Sequence, residues 1–221
     1  MCTHMSDEAT VDDASVIVVG GGPAGLSAAL FAAKNGLETT LFDTDETWMH
    51  KAHLFNYLGI GSVGGSEFMA TARQQVDDFG ADRRQNEEVT AVSEAGDGFV
   101  VETSVVSETQ RADGDAVDAD GEYEADFVVL ATGANRDIAD DLGVAFAEDG
   151  TVDVGVEMET SLAGVYATGA MVRAEEWQAA IAVGDGAAAA LNILSSVRGE
   201  HYHDFNVPAD AERVFGNHLA E

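Results

Sequence analysis

The stretch SVIVVGGGPAGLSAALFAAKNGLETTLFD, residues 15–43, decides the fold. Residues 16–19 are a short β-branched run that stops at Gly20, Gly21 and Gly22. Residues 26–34 follow as a helix of small residues, with Pro23 near its start, and residues 37–42 read as the next strand. This is a complete βαβ unit with turns of the expected length. Gly20, Gly22 and Gly25 make G-x-G-x-x-G between strand and helix. Gly20 permits the tight turn, Gly22 lets the backbone approach a pyrophosphate, and Gly25 lets the helix pack close to the strand. The helix start, with Pro23 and Ala24, offers unpaired N–H groups and the positive end of its dipole to that pyrophosphate. Asp43 ends the second strand, eighteen positions past Gly25, where a carboxylate can accept hydrogen bonds from ribose hydroxyls. A glycine-rich turn alone is weak evidence. The strand, helix, second strand and terminal acid around it point to a bound dinucleotide.

Further along, residues 66–79 have helical spacing of Phe68, Met69, Ala72, Val76 and Phe79, and residues 89–92 read as a short strand. Residues 98–106 and 122–130 alternate as strands joined by SETQRADGDAVDADG, read as a polar, solvated hairpin loop. Another strand, residues 165–168, precedes a long helix over about residues 176–197. Gly184 and Gly186 each weaken that helix by about 1 kcal/mol relative to alanine, so a need for space is expected at both. The last residues carry no clear pattern.

The 221 residues are 46% hydrophobic, enough for a globular core. Acidic residues outnumber basic ones by 41 to 10, for a formal charge of -31. Such a chain repels nucleic acid and anionic membrane surfaces, so no nucleic acid and no membrane is expected among its partners. Acids spread over the whole length, with only Lys34 and Lys51 as lysines, suggest a protein of a salt-rich cytoplasm, where cations screen self-repulsion. Cys2 is the only cysteine, which excludes a CxxC redox pair or a cysteine zinc cluster within the chain. No metal site is expected. No apolar run of membrane-spanning length is read, and the start lacks the basic and apolar regions of a signal peptide. A cytoplasmic location follows as an expectation.

Five segments resemble the flavin domain of thioredoxin reductase-like enzymes, in the FAD-dependent pyridine nucleotide-disulfide oxidoreductase family. VVGGGPAGLSAA, residues 18–29, is similar to their FAD fingerprint, and FNYLGI, residues 55–60, to their segment beside the flavin. ADFVVLATGA, residues 125–134, resembles the strand and Ala131-Thr132-Gly133 turn leading out of the FAD domain. METSLAGVYATGA, residues 158–170, and WQAAIAVGDGAAAA, residues 177–190, resemble the closing Gly-Asp segment and the helix after it.

The resemblance implies an α/β, Rossmann-like FAD-binding domain with a central parallel sheet, flanking helices and a small antiparallel β-meander. It spans residues 15–199, after a disordered tail at 1–14 and before an extension at 200–221. FAD is the implied cofactor. Gln178 and Ala179 would face the pyrimidine end of the flavin, Asn56 the isoalloxazine region, and the Val89 backbone the adenine. Gly133 and Gly169 are read as either tight-turn glycines or cofactor contacts. His50, Lys51 and His53 are read either as a proton relay or as ordinary surface residues.

Three departures from the family stand out, and the missing CxxC redox pair is one of them. Thirty-six positions separate Gly133 from Gly169, where full-length relatives insert an NADPH domain that needs on the order of 100 residues. Residues 134–154 look like the family's return connection joined straight onto the exit strand. Ala170 stands where relatives carry an aspartate that holds the flavin ribitol. The expectation is therefore an FAD-binding oxidoreductase fed by a free reductant or a redox partner protein, with no catalytic residue assignable. A non-catalytic flavin sensor and a scaffold without cofactor are the alternatives. A homodimer through the face left by the missing domain is a further expectation.

Overall fold

The computed structural model describes Val11 and residues 14–105 and 119–215. Strands β1 (Ser15–Val19), β2 (Glu38–Asp43), β5 (Asp82–Gln85), β9 (Phe127–Leu130) and β10 (Val165–Ala167) form a parallel sheet in the order β10-β9-β1-β2-β5. β6 (Glu87–Ala95), β7 (Gly98–Val105) and β8 (Ala119–Ala125) form an antiparallel meander, and β3 (His53–Leu54) pairs with β4 (Val63–Gly64). The helices are α1 (Pro23–Lys34), α2 (Gly65–Asp78), α3 (Asp137–Asp141), α4 (Ala179–Arg198) and α5 (Ala211–Phe215). This is the α/β architecture the sequence implied.

β1 is apolar at consecutive positions because both its faces are covered. Val16 and Val18 join the cluster containing Leu26, Ala29, Ile193 and Leu194 of α1 and α4. Ile17 and Val19 face the other way, into a cluster with Phe42, Val89, Val101 and Leu130. The meander therefore packs on one face of the sheet and the α1/α4 pair on the other.

Small residues set the α1 to α4 distance. A Cβ at Gly186 would stand 2.0 Å from the Ala24 carbonyl oxygen, so only glycine fits, whereas Gly184 has nothing within 4 Å. The expected need for space thus holds at Gly186 and fails at Gly184. By length and mean hydropathy α4 is long and apolar enough to cross a membrane, contrary to the sequence expectation. In this fold a third of that apolar stretch is buried, on the face that packs against α1, with Ser27 Oγ donating to the Val183 carbonyl at 2.7 Å and Asp185 buried and paired to Arg173.

Several boundaries differ from the sequence reading. α1 begins at Pro23 and α4 at Ala179, because Trp177 and Gln178 make short turns onto Glu175 and Glu176 before the helix starts. Residues 122–130 are not one strand: Asp126 breaks them into β8 of the meander and β9 of the main sheet. β6 is longer than residues 89–92 and carries a bulge between Val89 and Ala91, while the charged edge strand β5 lacks the apolar alternation that would reveal it. The expected hairpin loop lies almost entirely outside the described residues, as does most of the expected N-terminal tail; Ala14 is buried in the core. Residues 200–215 return to the body: Lys34 pairs with Asp204 at 2.6 Å, and Tyr202 Oη donates to Asn35 Oδ1 at 2.5 Å.

Candidate functional site

The carboxyl ends of β1, β2, β9 and β10 open onto one cavity of about 510 Å³, within the usual size for a small-molecule site. Its floor is the turn after β1. Gly20 adopts φ +106 and a Cβ there would lie 2.5 Å from the Ala131 carbonyl oxygen, while a Cβ at Gly25 would lie 1.8 Å from the Gly20 oxygen. Gly25 is thus a packing residue behind the cavity rather than part of its lining. Gly22 is open, with nothing within 4 Å of its Cβ position, and lines the cavity with Pro23 and Ala24. It also caps α1 with no side-chain hydrogen bond, which leaves the first N–H groups of the helix for a ligand.

Asp43 lines the cavity from the end of β2 and is buried. Its Oδ1 accepts from the Asp45 N–H at 2.7 Å, and its Oδ2 from Arg73 at 2.8 Å. Arg73 also donates to Asp45 Oδ1, the same oxygen that His50 Nε2 meets at 2.8 Å. Burial works to raise the Asp45 carboxyl, but the hydrogen bonds and charges of Arg73 and His50 outweigh it and hold the group below its ordinary value. Gly21 was missed in the sequence reading, although a Cβ there would meet Asp43 Cγ at 2.1 Å. The triple glycine was its signal.

Ala131, Thr132 and Gly133 line the wall between β9 and α3, and Thr132 Oγ1 donates to the Asn135 carbonyl at 2.6 Å. Across from them, Gly169 and Ala170 follow β10. Gly169 has φ +72 and a Cβ there would approach Ala24 Cβ to 3.0 Å; Gly133 has φ +69 and open space. Both are turn glycines that also border the cavity. Gln178 and Ala179 bring the uncapped start of α4 to the far end. Asn56 does not line the cavity, but its Nδ2 donates to Gln178 Oε1 at 2.8 Å and so fixes that side chain.

The opposite end is walled by Phe42, Ile138, Glu87, Glu88 and Val89. Glu87 and Val89 lie two apart on β6 and share its buried face. His50, Lys51 and His53 do not reach the cavity. His53 bonds Ser62 at 2.8 Å and lies beside the Phe55 ring, so these residues sit as surface side chains. Trp48 and Trp177 were not singled out, yet the chain's two tryptophans meet edge to face at the cavity, with centroids 6.2 Å apart. Their rarity in polar surroundings was the available signal. Arg173 also lines the cavity, held by Asp185 Oδ1 at 2.5 Å and Oδ2 at 3.2 Å. Among the described residues, no cluster of three His, Cys, Asp or Glu could hold a metal ion.

The sequence profile of the pyridine nucleotide-disulphide oxidoreductases matches this chain over residues 14–136 and 60–184. The chain belongs to that family. The thioredoxin reductase of Mycolicibacterium smegmatis is 35% identical over 134 residues, a match taking in 59% of this chain and 37% of that enzyme. The chain thus spans little more than a third of that curated relative. Among solved structures, a thioredoxin reductase from Gloeobacter violaceus is similar with TM-score 0.72 at 19% identity, over 87% of this chain and 98% of that one. The atypical thioredoxin reductase TRi from Desulfovibrio vulgaris Hildenborough gives 0.69 at 19% identity, over 85% and 99%. These structural likenesses speak for the fold. Between Gly133 and Gly169, where the sequence lacks room for a second nucleotide domain, this member of the family has α3 and an antiparallel bridge between Phe146 and Val152.

Proposed function

We propose that this chain is a compact FAD-binding oxidoreductase unit that receives electrons from a free reductant or a partner protein. The observation that carries this reading is one cavity bordered by two helix starts, those of α1 and α4, neither capped by a side chain. The α1 start and open Gly22 suit a pyrophosphate, whose charge the N–H groups and dipole stabilise. Asp43, held by Arg73 and the Asp45 N–H, keeps acceptor capacity for ribose hydroxyls. The α4 start, with Ala179 and the Asn56-fixed Gln178, suits the electron-rich pyrimidine end of a flavin. When bound, FAD supplies the electron-carrying chemistry, taking electrons from one reactant and passing them to another. The protein's part is to bind and orient the cofactor, with Trp48 and Trp177 bordering the cavity.

A regulatory flavin-binding module is the second reading. It is favoured by the lining, which among the described residues holds no Cys, His or Lys and offers only carboxylates such as Glu46 and Glu176 as proton carriers. Cofactor extraction with mass spectrometry, followed by anaerobic addition of NADH, NADPH or fractionated cell extract, separates the readings. FAD that is reduced and then reoxidised by an acceptor supports the first; bound FAD that stays inert supports the second. NAD in its place, or no nucleotide, overturns both. The charge of -31 is read as adaptation to concentrated salt, so the melting temperature should rise as the Debye length falls from about 30 Å at 0.01 M to about 3 Å at 1 M. A flat response contradicts that reading.

A further inference from the structure

Glu87 is a carboxylate only 8% exposed, and it lines the cavity. Among the described residues no Lys, Arg or His forms an ion pair with it. The Arg84 charge acts on it only from a distance, over the Tyr123 ring. A buried acid without a direct ion pair needs hydrogen-bond donors. Two are supplied by the meander: Thr103 Oγ1 donates at 2.6 Å and Tyr123 Oη at 3.1 Å, both to Oε1. These bonds fix the side chain. Thr103 is held opposite Val89 by the β6/β7 register, and the Tyr123 ring is held edge to face against Phe42 with centroids 5.0 Å apart. Phe42 and Val89 border the same end of the cavity as Glu87. The result is a slot with apolar walls at Phe42, Ile138 and Val89, an exposed carboxylate at Glu88, and one buried, fixed, acceptor-only group at Glu87.

The geometry points to Glu87 as the residue that selects the base at this end of the cavity, by accepting an N–H from the exocyclic amino group of adenine. The inference rests on the proposal that the cavity holds FAD. Flat apolar walls suit a purine of any kind. A carboxylate suits only a ring edge that donates, as the adenine amino group does, and opposes one that presents a carbonyl oxygen.

The test is fluorescence titration of the full chain in high salt with FAD, with the analogue carrying hypoxanthine in place of adenine, and with FMN. The wild type should bind FAD about tenfold to a hundredfold more tightly than the hypoxanthine analogue, the range of a hydrogen bond to a charged group. Glu87→Gln should narrow or invert that preference, because the amide can turn a donor towards the hypoxanthine oxygen while still accepting from Thr103 and Tyr123. Equal wild-type affinities for the two dinucleotides, or for FAD and FMN, overturn the inference. So does an equal loss for both dinucleotides in Glu87→Gln, the result expected if Glu87 only braces the meander. If neither dinucleotide binds the wild type, the FAD reading fails and this one with it. If FAD binds without base discrimination, only this one fails.

Discussion

Gly186 of α4 lies directly against the carbonyl of Ala24 in α1: a Cβ at that glycine would stand 2.0 Å from the oxygen. Ala24 is also in the cavity lining, so the contact ties the interhelical distance to the shape of the site. Gly186→Ala should cost about 1 to 3 kcal/mol despite its gain in helix propensity, since the helices must separate. Gly184→Ala, two residues away in exposed helix with open space, should instead gain up to about 1 kcal/mol. Denaturant melts of both variants check this. Two changes of the same sign would contradict the packing account.

Gly21 and Gly22 should fail in different ways. Gly21→Ala drives its methyl into the Asp43 carboxylate and should lower stability together with ligand affinity. Gly22→Glu has open space, so the fold should survive while the added charge occupies the pyrophosphate position and abolishes FAD binding. Thermal melts alongside cofactor extraction separate the two. A Gly22→Glu protein that retains FAD would remove the phosphate role of this turn.

Much of this site was legible because the glycine turn, Asp43 and the Ala131-Thr132-Gly133 turn lie at strand ends, where periodicity breaks sharply. Gly21 could have been read from the triple glycine. Glu87 could not: it is one acid among 41 Asp and Glu, and only the β6/β7/β8 pairing buries it and gives it Thr103 and Tyr123. β5 escaped for a related reason. Its sequence DRRQ has strand conformation because β2 supplies an edge to pair with, not because its own residues prefer it.

Ala170→Asp should tighten flavin binding about tenfold to a hundredfold if the cofactor adopts the pose known for relatives, because a charged acceptor is restored beside the ribitol. Arg136 Nη2 lies 3.4 Å from the Ala170 carbonyl oxygen, so a cation is near this backbone. Flavin titration at equal salt reads the change. Weaker binding with reduced stability would mean that the space has been refilled and the new carboxylate lies buried without a partner.

Tyr166 governs an alkaline limit. Burial, then the charges of Glu159 and Glu157, push its phenol from an ordinary value near 10 up to about 12, and its hydroxyl donates to Asn192 Oδ1 at 2.6 Å. The raised value favours the protonated phenol in the folded state. Its contribution is therefore whole below pH about 10 and is lost as pH climbs towards about 12. Tyr166→Phe should cost about 1 kcal/mol near neutrality and flatten the decline in melting temperature across that window. An unchanged alkaline profile in the variant would contradict this assignment.

The central claim is that the cavity between the starts of α1 and α4 holds FAD. Equilibrium titration of the flavin-free chain with FAD in high salt, monitored by the flavin absorbance bands, tests it most directly. The account predicts saturation at one FAD per chain, with a shifted and sharpened flavin spectrum that Gly22→Glu abolishes. No spectral change in the wild type, or the same change in wild type and Gly22→Glu, would contradict it.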